Sequence, residues 1–227
     1  MKEGEDNVRR VVDLSHRIEP GMPMYPGLPG PEITDHLSRE ASRRHYSPGT
    51  EFHIGRINMV VNTGTYLDTP FHRFPEGDDL ATVSLERVVD LDGLVIDTVG
   101  LARIDGDALG SSPIGGRAVL VRTNWSRHWG TEAYSIGHPC LTASAADRLV
   151  EQGAALVGID SLNVDATDTG ERPVHSRLLA AGIPIVEHLC RLDDLQVEGF
   201  RFTVAPPAVA GLGSFPVRAF AIVPGAI

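Results

Sequence analysis

Ala155-Leu-Val-Gly-Ile-Asp160 is a short apolar run closed by a carboxylate, and it reads as a β-strand. Upstream, Arg117-Ala-Val-Leu-Val-Arg-Thr123 reads as a buried strand. Thr142 can cap a helix over residues 143–152, with Ala146, Leu149 and Val150 on its inner face. Downstream, Pro173 can open a second helix that ends near Gly182, and Ile183-Pro-Ile-Val-Glu187 reads as a third strand. Strand, helix, strand, helix, strand with short joints predicts parallel βαβ units connected right-handedly. Further strands are expected at residues 8–14, 52–61, 200–205 and 217–223, the last two separated by a Pro/Gly loop. Ligands of open parallel sheets bind beyond the carboxyl ends of the strands. Thr123, Asp160 and Glu187 stand at such ends and form a candidate site floor.

The chain has 227 residues, which suits one domain over residues 1–227. Residues 18–31 hold five prolines, which preclude a regular helix or a central strand, so this segment reads as an arm lying over another surface. A formal net charge of −10 argues against nucleic acid or an anionic membrane as partner. No apolar stretch reaches the ~18 residues of a membrane span, and the charged N-terminus lacks a signal-peptide core. The expected location is cytoplasmic. Cys140 and Cys190 belong to no CxxC pair and read as reduced thiols. A P-loop, a Gly-rich dinucleotide turn and a GxSxG elbow are all absent.

Chemistry concentrates in Asn62-Thr-Gly-Thr-Tyr66-Leu-Asp68-Thr-Pro70-Phe-His72-Arg73. Pro70 disfavours helical geometry at Thr69, and in an extended loop the even spacing of Asp68 and His72 would place them on one side. An imidazole there has the intrinsic pKa of a general base. Alone, the pair also reads as a surface contact or a local turn. His175 follows the helix-opening Pro173. Glu187 ends an apolar strand, and a buried carboxylate needs a partner or a metal; Arg177 and Arg191 are alternative ion-pair partners. Asp160 and Asp165 bracket a segment that is either a binding turn or an Asx-type turn satisfying backbone N–H groups. The remaining histidines, His16 and His188 among them, have no ligand-like spacing. Trp125 and Trp129 form either a rim over the site or an anchored loop.

Taken in order, these segments resemble the cyclase family, hydrolases that include bacterial kynurenine formamidase and isatin hydrolase. The resemblance runs from Asp13-Leu-Ser-His16 and Met24-Tyr25-Pro26-Gly27 through the Asn62–Arg73 segment and Gly158-Ile-Asp160-Ser161 with Asp165. It closes on Pro173-x-His175, Ile185-Val-Glu187 and Phe215-Pro216-Val-Arg218-Ala. The family signature is His-x-Gly-Thr-His-x-Asp-x-Pro-x-His. Asn62 and Tyr66 replace its first two histidines here. In the family those histidines and the Asp bind one metal, and the Asp with a later His and Glu binds a second. The last His is the base.

The resemblance implies an α/β fold with mixed and parallel sheets and flanking helices, a swivelling β/β/α domain. It implies that Asp68, His175 and Glu187 bind one divalent metal (Zn or Mn), with His72 as base; in a metal-free alternative Tyr66 and Asn62 are hydrogen-bond donors to a developing oxyanion, with His72 and a carboxylate as the acid/base pair. Three protein ligands plus water is the usual count for a catalytic zinc. The implied reaction is hydrolysis of a non-peptide C–N bond in an arylformamide or cyclic amide. A metal-independent lyase, cyclase or lactone hydrolase is one alternative, and an inactive relic that binds a small molecule is another. The partner is a small-molecule substrate, with Tyr25, Arg73 and Asp160 as candidate contacts. A homodimer or homotetramer is implied, in which the arm can carry Tyr25 into a neighbour's pocket.

Overall fold

Four parallel strands form the centre of the sheet, and three of them are those read from the sequence. The computed structural model describes residues 9–22 and 24–225; Val8 and Pro23 lie outside the described residues. In chain order the strands are β1 (Arg10–Asp13), β2 (Glu32–Leu37), β3 (Ile54–Asn58), β4 (Tyr66–Asp68), β5 (Leu91–Asp97), β6 (Arg103–Ile104), β7 (Ala118–Arg122), β8 (Cys140–Leu141), β9 (Leu156–Ile159), β10 (Ile185–Glu187), β11 (Glu198–Thr203), β12 (Ser214–Pro216) and β13 (Phe220–Val223). The helices are α1 (Arg39–Ser42), α2 (Ala143–Glu151) and α3 (Pro173–Ala180). Nine strands make one sheet in the order β1-β13-β11-β5-β7-β9-β10-β4-β12. β5, β7, β9 and β10 are parallel, and antiparallel strands extend the sheet on both sides. The expected mixed α/β class is therefore observed. Among the described residues no helix is long and apolar enough to cross a membrane.

Alternation along the central strands gives the sheet two apolar faces. Ala118, Leu120, Leu156, Val186 and Leu67 point to one. Val119, Val121, Val157, Ile159 and Ile185 point to the other, where they meet Leu149 of α2 and Val174 and Leu178 of α3. Each of these side chains except Ala118 contributes about 1.5–3 kcal/mol on full burial. Glu187, Tyr66 and Asp68 share the second face by register: Glu187 is paired with Tyr66, and Ile185 with Asp68. The site therefore stands on the helix-bearing face, at one side of the parallel core.

Several local expectations need correction. The strand expected at residues 52–61 is shorter and pairs only with β2 in a separate hairpin, so it does not run into the motif. Asp68 and His72 are not on one extended loop. Asp68 ends β4, Thr69 stays extended, and residues Pro70–His72 form a 3-10 turn opened by Pro70. That turn shortens a span which four extended residues would stretch to about 13 Å. Thr142 occupies the N-cap of α2 without a side-chain cap bond to the backbone; its hydroxyl meets Ser144 Oγ at 3.0 Å. Val150 is only partly buried, and Ala145 joins Ala146 and Leu149 on the inner face. Gly182 follows α3 with φ 70°, a left-handed conformation that glycine adopts without strain.

Candidate active site

Three neighbouring strands and one helix bring Asp68, His72, His175 and Glu187 together. On β12, Ser214 lies directly opposite Asp68 of β4. Its hydroxyl donates to Asp68 Oδ1 and also meets His72 Nδ1 at 2.8 Å. His72 Nδ1 is 3.8 Å from Asp68 Oδ1, and its side chain is 37 % exposed. His175 projects from the first turn of α3, with its Nε2 3.7 Å from Asp68 Oδ2 and 3.6 Å from Glu187 Oε1. The His72 and His175 rings lie 6.0 Å apart.

His175 is held by Asp165. The Asp165 carboxylate accepts Val174 N–H (2.8 Å), His175 N–H (3.0 Å) and His175 Nδ1 (2.7 Å). The first two bonds satisfy free donors at the start of α3, as the Asx-type reading allowed. The third directs the imidazole. With Nδ1–H given to Asp165, Nε2 faces the carboxylates; it holds a proton between them, and only loss of that proton would give a metal its lone pair. Glu187 is held as firmly. Its Oε2 accepts Tyr66 O–H at 2.5 Å and the Asn163 amide at 3.2 Å, and its Oε1 accepts Val164 N–H at 2.7 Å. Neither alternative ion pair forms: Arg177 bonds Asp147 and Arg191 bonds Asp194.

Burial sets the electrostatics. It would lower the His175 pKa, but the Nδ1–H bond accepted by Asp165 and the nearby carboxylates Asp68 and Glu187 outweigh it and raise the imidazole to about 10. Burial raises Glu187 to about 7 against the opposing attraction of His175. Burial acts to raise Asp68 as well, yet His175, His72 and Ser214 hold it below the usual carboxylate range. Tyr66 is pushed well above its ordinary value by burial and by the charges of Glu187 and Asp68, with the Asn62 amide opposing. Tyr66 is therefore a neutral donor, and its proton is committed to Glu187.

These residues fit a divalent metal. Asp68 Oδ2 is buried without a hydrogen-bond partner. His175 Nε2 stands within 3.7 Å of it and within 3.6 Å of Glu187 Oε1. Two donors of a tetrahedral zinc at ~2.0–2.1 Å are about 3.3–3.4 Å apart, so His175 Nε2 is within a few tenths of an ångström of sharing an ion with either carboxylate. Carboxylate and imidazole donors suit zinc or manganese. His72 is close enough to act as another ligand: one donor atom each of Asp68, His72 and His175 lie within 4.8 Å of one another.

The other expected contacts lie in varied settings. Asn62 is half-buried, and its amide lies at the Tyr66 hydroxyl. Arg73 is exposed, stacks over Phe74 at 5.4 Å, and makes no ion pair among the described residues. Asp160 is 2 % exposed, and both its oxygens bind Thr123 and Asn124, which ties the ends of β7 and β9 together. Thr123 and Asp160 thus form a structural joint, and only Glu187 of the expected floor faces the cluster. Tyr25 is half-buried in a turn closed by Leu28 N–H to its carbonyl at 3.0 Å.

Beside Tyr66 stands an aromatic wall in which Trp129 was expected as a rim, while His16, Tyr134 and His188 were given no role. The His188 ring lies 5.2 Å from Tyr66, 5.5 Å from Trp129 and 5.6 Å from Tyr134. His16 stacks on Trp129 at 3.8 Å, and a cavity of about 30 Å³ separates Met24 of the arm from Tyr134, Leu162 and His188. Burial holds His188 near pKa 3 and His16 near 4, so both are neutral at pH 7. A histidine with a lowered folded pKa gives stability that is complete above pH 6.5 and is lost as pH falls. His16→Phe keeps the stacked ring and removes this titration. Between pH 7.5 and 5 the parent is expected to lose about 2 kcal/mol more stability than His16→Phe in paired denaturant melts. Equal losses would mean that His16 titrates normally.

A model of the family described as "Putative cyclase" matches residues 12–166, more than half of the chain. The kynurenine formamidase of Bacillus cytotoxicus is 30 % identical over 218 residues, covering 92 % of this chain and 95 % of the relative. A solved structure described as a potential metal-dependent hydrolase with cyclase activity superposes with a TM-score of 0.79 at 26 % identity, over 96 % of this chain and all of that one. Isatin hydrolase A from Labrenzia aggregata shares the fold, with a TM-score of 0.81 at 23 % identity over 96 % and 94 % of the two chains. With the family pattern matched along most of its length and the same fold in solved relatives, the chain belongs to the cyclase family.

Proposed function

We propose that this protein hydrolyses the C–N bond of an aryl amide, an arylformamide or a cyclic aryl amide, at the Asp68–His72–His175–Glu187 cluster. The observation that carries the reading is His175 Nε2, held between the unpartnered Asp68 Oδ2 at 3.7 Å and Glu187 Oε1 at 3.6 Å. Kynurenine formamidases among its relatives support the substrate class. A divalent ion held by Asp68, His175 and Glu187 would polarise the amide carbonyl and acidify water.

The chain's own groups supply the rest. His72, partly open to solvent, takes a proton from water as it attacks and returns one to the departing nitrogen. Asp165 keeps His175 Nε2 turned inward, where a metal would take the place of its proton. Tyr66 and Asn163 occupy Glu187 Oε2 and leave Oε1 facing His175. Tyr66 thus fills a ligand position of the family signature with a phenol bonded to a carboxylate, which leaves one metal position in place of two. The Asn62 amide has two N–H groups, so beyond its contact with the Tyr66 hydroxyl it keeps one to meet a developing oxyanion.

Metal analysis of protein purified without chelator is expected to find about one equivalent of zinc or manganese per chain. EDTA should abolish hydrolysis of an N-formyl arylamine or of a cyclic aryl amide. Less than about 0.1 equivalent, with EDTA-insensitive turnover, would rule the metal reading out. No turnover of either substrate by the metal-loaded enzyme would refute the aryl amide assignment.

A further inference from the structure

We propose that Ser214 is a positioning residue that fixes the tautomer of His72, with Nδ1 protonated and Nε2 free to accept the proton of the attacking water. This rests on His72 being the base of the proposed reaction.

Donor counting leads to this assignment. The serine hydroxyl has one proton to give and two lone pairs. Asp68, as a carboxylate, can only accept, so the Ser214 proton goes to Asp68 Oδ1. At 2.8 Å from His72 Nδ1, the same oxygen can then only accept, so Nδ1 must carry a hydrogen. A neutral imidazole has one N–H, which leaves the Nε2 lone pair uncommitted. When His72 takes a proton at Nε2 it becomes an imidazolium whose Nδ1–H still points at Ser214. No proton need move along the chain to Asp68.

The backbone around Ser214 is built to hold this arrangement. β12 pairs Ser214 with Asp68. Gly213 packs so closely under the 3-10 turn that a Cβ there would lie 2.2 Å from His72 N and 2.5 Å from its Cα. Gly213 carbonyl also accepts Thr69 N–H at 2.7 Å and the Thr69 hydroxyl at 3.1 Å, tying the start of the turn to β12. Glycine is required at 213 by close approach, and the next residue then presents its hydroxyl between base and carboxylate.

The test is nitrogen NMR of imidazole-labelled enzyme in a diamagnetic state, zinc-loaded or EDTA-treated, with His72 assigned from His72→Gln. The parent is expected to show a protonated Nδ1 and an unprotonated Nε2 at His72. In Ser214→Ala the resonance should shift to the Nε2–H form, and kcat should fall on the order of 10²-fold with KM within a few-fold. Ser214→Thr should restore both the tautomer and most of kcat. An Nε2–H tautomer in the parent overturns the proposal whether or not any variant folds. Loss of activity in Ser214→Ala with an unchanged tautomer overturns it as well. The tautomer is read without substrate, so failure here leaves the aryl amide assignment standing, and failure of that assignment leaves this reading measurable.

Discussion

His72→Ala is expected to lower kcat by about 10²–10⁴-fold while leaving metal content and folding intact. The side chain is 37 % exposed, and its one hydrogen bond is to Ser214 Oγ, so removing it opens no core cavity. Melting temperature should change by no more than a few degrees. KM should move little, because the base acts on water and not on the bound amide. The measurement that checks this is steady-state kinetics together with metal analysis of the same preparation. A variant that loses metal along with activity would make His72 a ligand, as the proximity of its ring to Asp68 and His175 allows. A variant of undiminished kcat would remove His72 from the chemistry.

Glu187→Ala has the largest expected effect on stability. The carboxylate is fully buried and accepts from Tyr66, Asn163 and Val164 while facing His175. Its removal leaves those donors without an acceptor and takes away one of the three carboxylates around His175. Breaking a buried pair of this kind costs about 3–5 kcal/mol. For a domain of this size that lowers the melting temperature by roughly 6–20 °C. Metal content and activity should be lost together. Glu187→Gln keeps one oxygen, enough for Val164 N–H, while its amide nitrogen faces the Tyr66 oxygen, and it carries no charge, so it should regain part of the stability and none of the metal. If thermal melts of Glu187→Ala match the parent, the carboxylate is not the centre of this network.

The parallel core was legible because its signals are local. Apolar runs at residues 117–123, 155–160 and 183–187, a proline opening one helix and a glycine closing it are short-range features, and all of them hold. β5 was not legible. Gly93 interrupts its apolar pattern, and the reason lies on another strand: a Cβ at 93 would sit 1.9 Å from the Phe200 ring. β4 and β12 are three residues each and exist through pairing with each other and with β10. At the site, Asp68, His72, His175 and Glu187 stood out by residue type and by family pattern. Ser214 did not, since a serine in a Pro/Gly loop has no spacing or charge to mark it. Its role depends on lying opposite Asp68, 146 residues earlier. The neutral, buried state of His16 and His188 was hidden for a related reason, because the rings around them come from distant segments.

The floor of the site has a consequence in time. Its closing contacts join Tyr66 to Glu187 across 121 residues and Asp68 to Ser214 across 146. Loop closure over such separations comes late in folding. A chain shortened before residue 214 keeps every titratable group of the centre but not the hydroxyl between Asp68 and His72. Until β12 pairs with β4, Asp68 and His72 stand without the hydroxyl that joins them.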